Sequence, residues 1–125
     1  MATKLLPVVG LWETEFFEVR GKTRKKYKER VTVKIKDIKK STVEGTIELF
    51  NLDGTKVTDK YNFFAFFKNR ILTGFYYPED QNDFERGSFV LEFIHKDTLE
   101  GKYIFFTKNQ GERIAASKYT WTRME

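Results

Sequence analysis

Apolar and polar residues alternate along most of this chain with a period of two. Between residues 31 and 35, for example, Val31, Val33 and Ile35 are apolar and the residues between them are polar. Related alternation recurs at residues 43–49 and 87–94. Because successive side chains of a β-strand point to opposite faces, this pattern predicts antiparallel strands that are buried on one face only.

Turn signals divide the alternating runs at regular intervals. The predicted strands are residues 8–20, 25–38, 42–52, 56–67, 71–77, 86–94, 99–107 and 114–124. Connections this short favour pairing between consecutive strands, and closing such a meander removes the exposed sheet edges. We therefore predict an all-β fold, an eight-stranded up-and-down antiparallel β-barrel, in preference to a sandwich. It would form a single domain over residues 1–125.

Composition narrows the chemistry that this barrel can carry. The chain has 125 residues, no cysteine and a single histidine, His95. The lack of cysteine excludes a disulfide scaffold, a thiolate zinc site and a cysteine nucleophile. His95 falls in a predicted turn with no serine partner indicated by the sequence. We therefore expect no enzyme activity, no metal site and no cofactor.

Charge is concentrated in one segment. The chain has a net charge of +5, yet residues 20–40 alone contain eleven Lys and Arg against two acids. The basic residues of its first part are Arg20, Lys22, Arg24, Lys25, Lys26, Lys28 and Arg30. Phosphate capture, attraction to an anionic membrane surface and a plain solvated hairpin all remain open for the Arg20–Arg30 hairpin. Long nucleic acid is disfavoured, because the segment lacks the interleaved exposed aromatics of RNA-binding folds.

The two ends of the chain resemble the calycin superfamily, which includes lipocalins, fatty-acid-binding proteins and avidins. Gly10-Leu11-Trp12 is similar to the Gly-x-Trp signature of the first strand, and Trp121-Thr122-Arg123 places an arginine in the last strand. The resemblance implies that Arg123 packs across Trp12 and holds the first and last strands together by a cation–π contact. It also implies an alternative function, a carrier of a small hydrophobic ligand.

A closer resemblance covers most of the chain. The segments 72–76, 86–91, 99–103 and 119–123 resemble, in that order, the barrel of the SMODS-associating two-transmembrane β-strand-rich effectors of CBASS-type antiphage systems. In that family the barrel senses a cyclic nucleotide made by a partner nucleotidyltransferase, and two membrane helices then disrupt the inner membrane. The resemblance implies a cyclic di- or oligonucleotide ligand and antiviral defence.

The chain departs from that family in one respect. No apolar run approaches the ~18 residues of a membrane-spanning helix. If the resemblance holds, residues 1–125 are the cytoplasmic domain of a longer protein that resides in the bacterial inner membrane.

A cyclic dinucleotide needs rings for stacking and cations for its phosphates. Residues near predicted strand ends could supply both at a barrel mouth, and Tyr77 and Arg86 flank the same loop. The candidate ligand-binding residues are Arg70, Tyr76, Tyr77, Arg86, Tyr103 and Arg113.

The fourth strand suggests a third possibility. Phe63, Phe64, Phe66 and Phe67 occupy both faces of it, so the strand is either bulged or exposes one pair on the outside. An exposed pair could mediate self-association into a homo-oligomer.

Overall fold

Eight antiparallel strands form one closed barrel, in which each strand pairs with the strands before and after it in the sequence. The predicted all-β, up-and-down architecture is confirmed. The strands are β1 (Gly10–Arg20), β2 (Thr23–Asp37), β3 (Thr42–Asn51), β4 (Lys56–Lys68), β5 (Ile71–Pro78), β6 (Gly87–His95), β7 (Thr98–Thr107) and β8 (Arg113–Arg123). A single 3₁₀ turn, Ile38–Lys40, joins β2 to β3.

The computed structural model describes residues 6–20, 23–80, 86–107 and 113–124. Within these ranges, the side chains of residues 16–20, 23–25, 56–59, 106–107 and 113 lie outside the description.

The barrel closes where β1 meets β8. Trp12 lies opposite Arg123, and Glu13 lies opposite Thr122. The Met124 amide extends this contact by donating to the Leu11 carbonyl over 2.9 Å. Closure thus brings the two ends of the described chain together and leaves no free sheet edge in the barrel.

The fourth strand divides its phenylalanines between the two faces. Phe63 is buried and Phe67 packs against the core, whereas Phe66 is 52% exposed. Pairing with β5 runs from Tyr61 to Lys68 without a shift of register. Of the two readings of this strand, the one with an outward-facing pair is therefore correct, and no bulge is needed between these residues.

The hairpin between β4 and β5 turns through only two residues. Asn69 and Arg70 have φ angles of 52° and 68°, as the type I′ turns of tight hairpins require. The Arg70 guanidinium donates hydrogen bonds to the carbonyls of Phe93 and Ile94. This side chain therefore ties the β4–β5 turn to the end of β6.

Two further properties of the described residues bear on membrane spanning and on metal binding. None of their helical segments has both the length and the apolar character needed to cross a bilayer. No group of three or more His, Cys, Asp or Glu side chains is placed to hold a metal ion within the same part of the chain.

Candidate functional site

The barrel interior has two halves of different chemistry. The half at the Gly10 end of β1, here called the tryptophan half, is lined by fully buried apolar side chains. These are Val8, Trp12, Leu72, Leu91, Leu99 and Trp121. The opposite half, here called the tyrosine half, is lined by Thr14, Glu29, Tyr61, Tyr76, Tyr103 and Tyr119.

Phe63 and Phe89 lie between the two halves. The Phe89 ring centroid is 5.5 Å from that of Trp121 and 6.4 Å from that of Tyr119. Phe63 contacts Phe89 edge-on at 5.8 Å. These rings complete an apolar floor beneath the tyrosine half.

Arg123 secures the tryptophan half from outside. Its Cζ lies 4.2 Å from the centre of the Trp12 ring, so the cation–π contact implied by the calycin resemblance is present. Its three nitrogens also donate to backbone carbonyls, Nε to Lys96 over 2.6 Å, Nη1 to Val9 over 3.0 Å and Nη2 to Pro7 over 2.6 Å. One side chain thus joins the segment before β1, the β6–β7 turn and β8 at the closed end.

Among the described side chains, Glu29 is the charged residue that lies inside the tyrosine half. It lies in β2 in phase with Val31 and Val33, and therefore shares their inward face. The Tyr119 hydroxyl donates to Glu29 Oε1 over 2.7 Å. Among the described residues, no lysine, arginine or histidine forms an ion pair with this carboxylate.

Enclosure of Glu29 changes its acidity. Burial raises the pKa of Glu29 from its ordinary value of 4.5 to about 7, because an ion loses hydration inside the barrel. The hydrogen bond from Tyr119 lowers the pKa and so opposes this rise only in part. Burial, and next the negative charge of Glu29, raise the pKa values of Tyr103 and Tyr119. Both tyrosines are therefore hydroxyl donors at neutral pH.

The tyrosine rings are in mutual contact around this carboxyl group. The centroids of Tyr103 and Tyr119 are 4.7 Å apart, and Tyr61 meets Tyr76 edge-on at 5.8 Å. Tyr76 lies directly over Gly87, where an added Cβ would come within 2.6 Å of the tyrosine hydroxyl. Glycine at this position therefore leaves room for the ring of Tyr76 to lie against β6.

One polar atom at the level of Glu29, Thr14 Oγ1, is buried without a hydrogen-bond partner among the described residues. Thr14 is directly opposite Glu29 in the β1–β2 ladder. Natural proteins rarely leave such atoms unpaired, and an unpaired one calls for an explanation such as a bound group.

The structure brings together only some of the six predicted ligand-binding residues. Tyr76 and Tyr103 face the interior of the tyrosine half. Tyr77, the next residue in β5, points outward and is 42% exposed. Arg86 is exposed just before β6, at the same end of the barrel as Tyr76 and Tyr77.

Arg70 does not join this group. It lies at the closed end, in the β4–β5 turn, with its guanidinium bound to the β6 carbonyls. Predicted strand ends alternate between two mouths, because consecutive turns of an up-and-down barrel fall at opposite ends. The Arg113 side chain lies outside the described residues.

Sequence reasoning missed Glu29, Tyr61, Tyr119 and Thr14. A signal for Glu29 was present, since it continues the inward series of Tyr27, Val31 and Val33. Its position among basic residues led to its being counted as part of a solvated segment. A glutamate in the apolar phase of a strand is the pattern that indicates an interior carboxylate.

Part of the predicted basic hairpin is neutralised by β1. Lys26 Nζ lies 2.9 Å from Glu15 Oε1, and Lys28 Nζ lies 3.9 Å from Glu13 Oε1. The side chains of Arg20, Lys22, Arg24 and Lys25 lie outside the described residues. Binding of the Arg20–Arg30 hairpin to an anionic membrane surface stays a prediction.

The outer face of β4 and β5 carries a row of aromatic side chains. The Phe64 ring is 5.2 Å from that of Phe66 and 5.9 Å from that of Phe75, and Phe75 is 6.1 Å from Tyr77. Phe66, Phe75 and Tyr77 are exposed. Self-association through this strand stays a prediction.

Comparison with known proteins adds no family assignment. The chain matches no protein-family model, and it has no significant sequence match among curated proteins. The geometry of the barrel interior is therefore the main guide to function.

Proposed function

We propose that this barrel binds a small organic molecule in its tyrosine half. The observation that carries the proposal is Glu29, a carboxyl group enclosed among tyrosine rings with one hydrogen-bond donor and no ion-pair partner among the described residues. Such a group destabilises an otherwise apolar interior. Local departures of this kind from a well-packed interior are expected at functional sites.

The difference in solvent contact between the halves supports the same conclusion. Leu72, Leu91 and Leu99 of the tryptophan half are fully buried. Glu29, Tyr76 and Tyr103 are inward-facing yet keep part of their surface accessible. A ligand would enter at this end and rest on the floor made by Phe63 and Phe89, since an eight-stranded barrel has room for one small ligand at most.

The ligand class that we propose first is a cyclic di- or oligonucleotide, following the resemblance to the antiphage effectors. Two features support it. Tyr76 and Tyr103 line the same half and could stack on bases, and Arg86 stands at the same end for a phosphate. Because the interior carries a carboxylate, the phosphates would stay at the opening while a base enters. In this proposal the partner nucleotidyltransferase supplies the ligand, and the full-length protein acts at the bacterial inner membrane.

A carrier of a hydrophobic molecule is the alternative. The aromatic lining and the Trp12–Arg123 contact favour it. It predicts that lipid or another apolar compound co-purifies with the chain and appears in the mass spectrum of a solvent extract.

The experiment is a thermal-shift series with cyclic di- and oligonucleotides, cyclic mononucleotides and a fatty acid. Adjacent tyrosines provide matched variants, because Tyr76→Leu alters the interior and Tyr77→Leu alters only the outer face. Stacking of one base on a ring contributes ~1–3 kcal/mol, so Tyr76→Leu should weaken nucleotide binding by about 10-fold or more. Tyr77→Leu should leave it unchanged.

The outcomes separate the candidates. Stabilisation by a cyclic nucleotide that Tyr76→Leu abolishes supports the sensor. Stabilisation by the fatty acid alone favours the carrier. Equal losses in both variants would place the binding outside the barrel, and no stabilisation by any compound at millimolar concentration would count against the proposal as a whole.

A further inference from the structure

Glu29 is presented to the interior with one acceptor oxygen still available. Tyr119 Oη occupies Oε1 at 2.7 Å. No described residue donates a hydrogen bond to Oε2. A buried carboxylate can accept several hydrogen bonds, so the protein leaves a large part of its capacity unused.

A neighbouring polar atom points to the same place. Thr14, which is only 3% exposed, lies opposite Glu29, and its hydroxyl has no hydrogen-bond partner among the described residues. A threonine hydroxyl and a carboxylate therefore face each other beneath the tyrosine rings, and both can still form hydrogen bonds.

The charge balance of this half restricts what can fill it. The described residues that line it supply one carboxylate and several aromatic faces, and no described cation pairs with the carboxylate. The faces of aromatic rings attract positive charge and stack on flat groups. An anionic group placed beside Glu29 would instead meet like charge at low dielectric.

We propose that the tyrosine half selects a ligand whose buried end is a flat nitrogenous group with neighbouring N–H donors, which pair with the Glu29 carboxylate. Amidines, guanidines and the Watson–Crick edge of guanine share this chemistry. Parallel N–H donors match the two oxygens of a carboxylate in a bidentate contact. The inference rests on the proposed binding function and adds to it the class of group that enters the barrel.

The raised pKa of Glu29 agrees with this assignment. A donor group that pairs with the carboxylate replaces the hydration that burial removed, so pairing offsets the cost of burying the ionised Glu29.

Three probes of nearly equal size test the inference on the full chain. Benzamidine presents a cationic donor pair, benzamide a neutral amide and benzoate an anion. Isothermal titration at a pH above 7, where Glu29 is ionised, should give saturable binding of benzamidine, weaker binding of benzamide and no binding of benzoate. If the group that enters the barrel is a nucleobase, guanosine should bind more tightly than adenosine, because the Watson–Crick edge of guanine carries the neighbouring N–H donors.

Two variants with the same change of charge complete the design. Glu29→Gln should weaken benzamidine binding by about 10-fold or more, since it removes a charge-assisted pair. Glu44→Gln, on the exposed outer face, should leave binding unchanged. Circular dichroism of both variants checks that each has folded.

Each other result overturns the inference. Benzamidine that fails to bind, binds no better than benzoate or binds equally to Glu29→Gln would show that Glu29 does not select the ligand. If the cyclic nucleotides or the fatty acid still bind in a manner that depends on Tyr76, the proposed binding function stands and only the ligand class is wrong.

Discussion

The two halves of the barrel interior are built from the same eight strands but have opposite character. In the tryptophan half, apolar side chains are fully buried and the Trp12 indole N–H donates to the Val8 carbonyl over 2.9 Å. In the tyrosine half, an enclosed carboxylate and a threonine hydroxyl without a partner among the described residues lie among rings that keep some solvent contact. The comparison teaches that a barrel closed by a packed floor can tolerate a poorly satisfied group above it, and this is the half in which we propose that a ligand binds.

The largest expected loss of unfolding free energy follows truncation of a ring in the packed part of the barrel interior. Phe63→Ala removes a ring that contacts both Phe89 and Trp121, and truncation of a buried phenylalanine costs about 3–5 kcal/mol. Urea denaturation should show this loss as a lower midpoint. A loss below about 1 kcal/mol would mean that the middle layer is not tightly packed.

The second effect belongs to the tyrosine half and depends on pH. Because the folded-state pKa of Glu29, about 7, lies above its ordinary 4.5, the folded chain binds more protons between these values than the unfolded chain does. The contribution of Glu29 to the free energy of unfolding is therefore largest below the unfolded pKa. It decreases by about 3 kcal/mol as pH rises through about 7.

Glu29→Gln isolates that contribution. The difference in unfolding free energy between the wild type and this variant should change as pH rises from the unfolded pKa of Glu29 to its folded pKa, and level off above about pH 7. Glu44→Gln is the control, because its side chain is exposed and it should leave the pH profile unaltered. A Glu29→Gln profile parallel to that of the wild type would contradict the enclosed carboxyl group.

The third effect tests how the closed end is held. Arg123→Met keeps much of the packing stem but removes the cation–π contact and the hydrogen bonds to Val9, Lys96 and Pro7. We expect a loss of roughly 2 kcal/mol by thermal or urea unfolding.

Arg30→Met is the matched variant for this measurement. Arg30 also lies over a ring, with its Cζ 4.8 Å from the centre of Phe50, but it is exposed. Its loss should be below about 1 kcal/mol. Equal losses in the two variants would show that Arg123 has no special role in closure.

The smallest effect is expected outside the barrel. Phe66→Ala removes a ring of the same size as Phe63 from the same strand, but from the exposed face. Its unfolding free energy should stay within about 0.5 kcal/mol of the wild type, as for most surface substitutions. A larger loss would show that the outer aromatic row stabilises the fold.

Much of the fold could be read from local patterns. The strand boundaries agree to within two residues at every end, since period-two alternation and turn residues are local properties. The alternation also separates Phe63 from Phe66 and Tyr76 from Tyr77. It placed Glu29 on the inner face as well, although the surrounding lysines concealed that signal.

The height of each residue along the barrel axis could not be read in the same way. Alternation tells only whether a side chain points in or out. Which residues of different strands lie at the same level depends on the register and stagger with which all eight strands close. For that reason Arg70 was grouped with Tyr76, although the two lie at opposite ends.

The sequence by itself determined the strands and their inward and outward faces, because both rest on spacing within a strand, and its resemblance to the calycins implied the contact of Arg123 with Trp12. Only the tertiary structure decided that Glu29, Tyr103 and Tyr119 from β2, β7 and β8 meet at one level above an apolar floor. Contacts between residues 90 positions apart, such as that of Tyr119 with Glu29, arise from closure of the whole sheet, which no local pattern encodes.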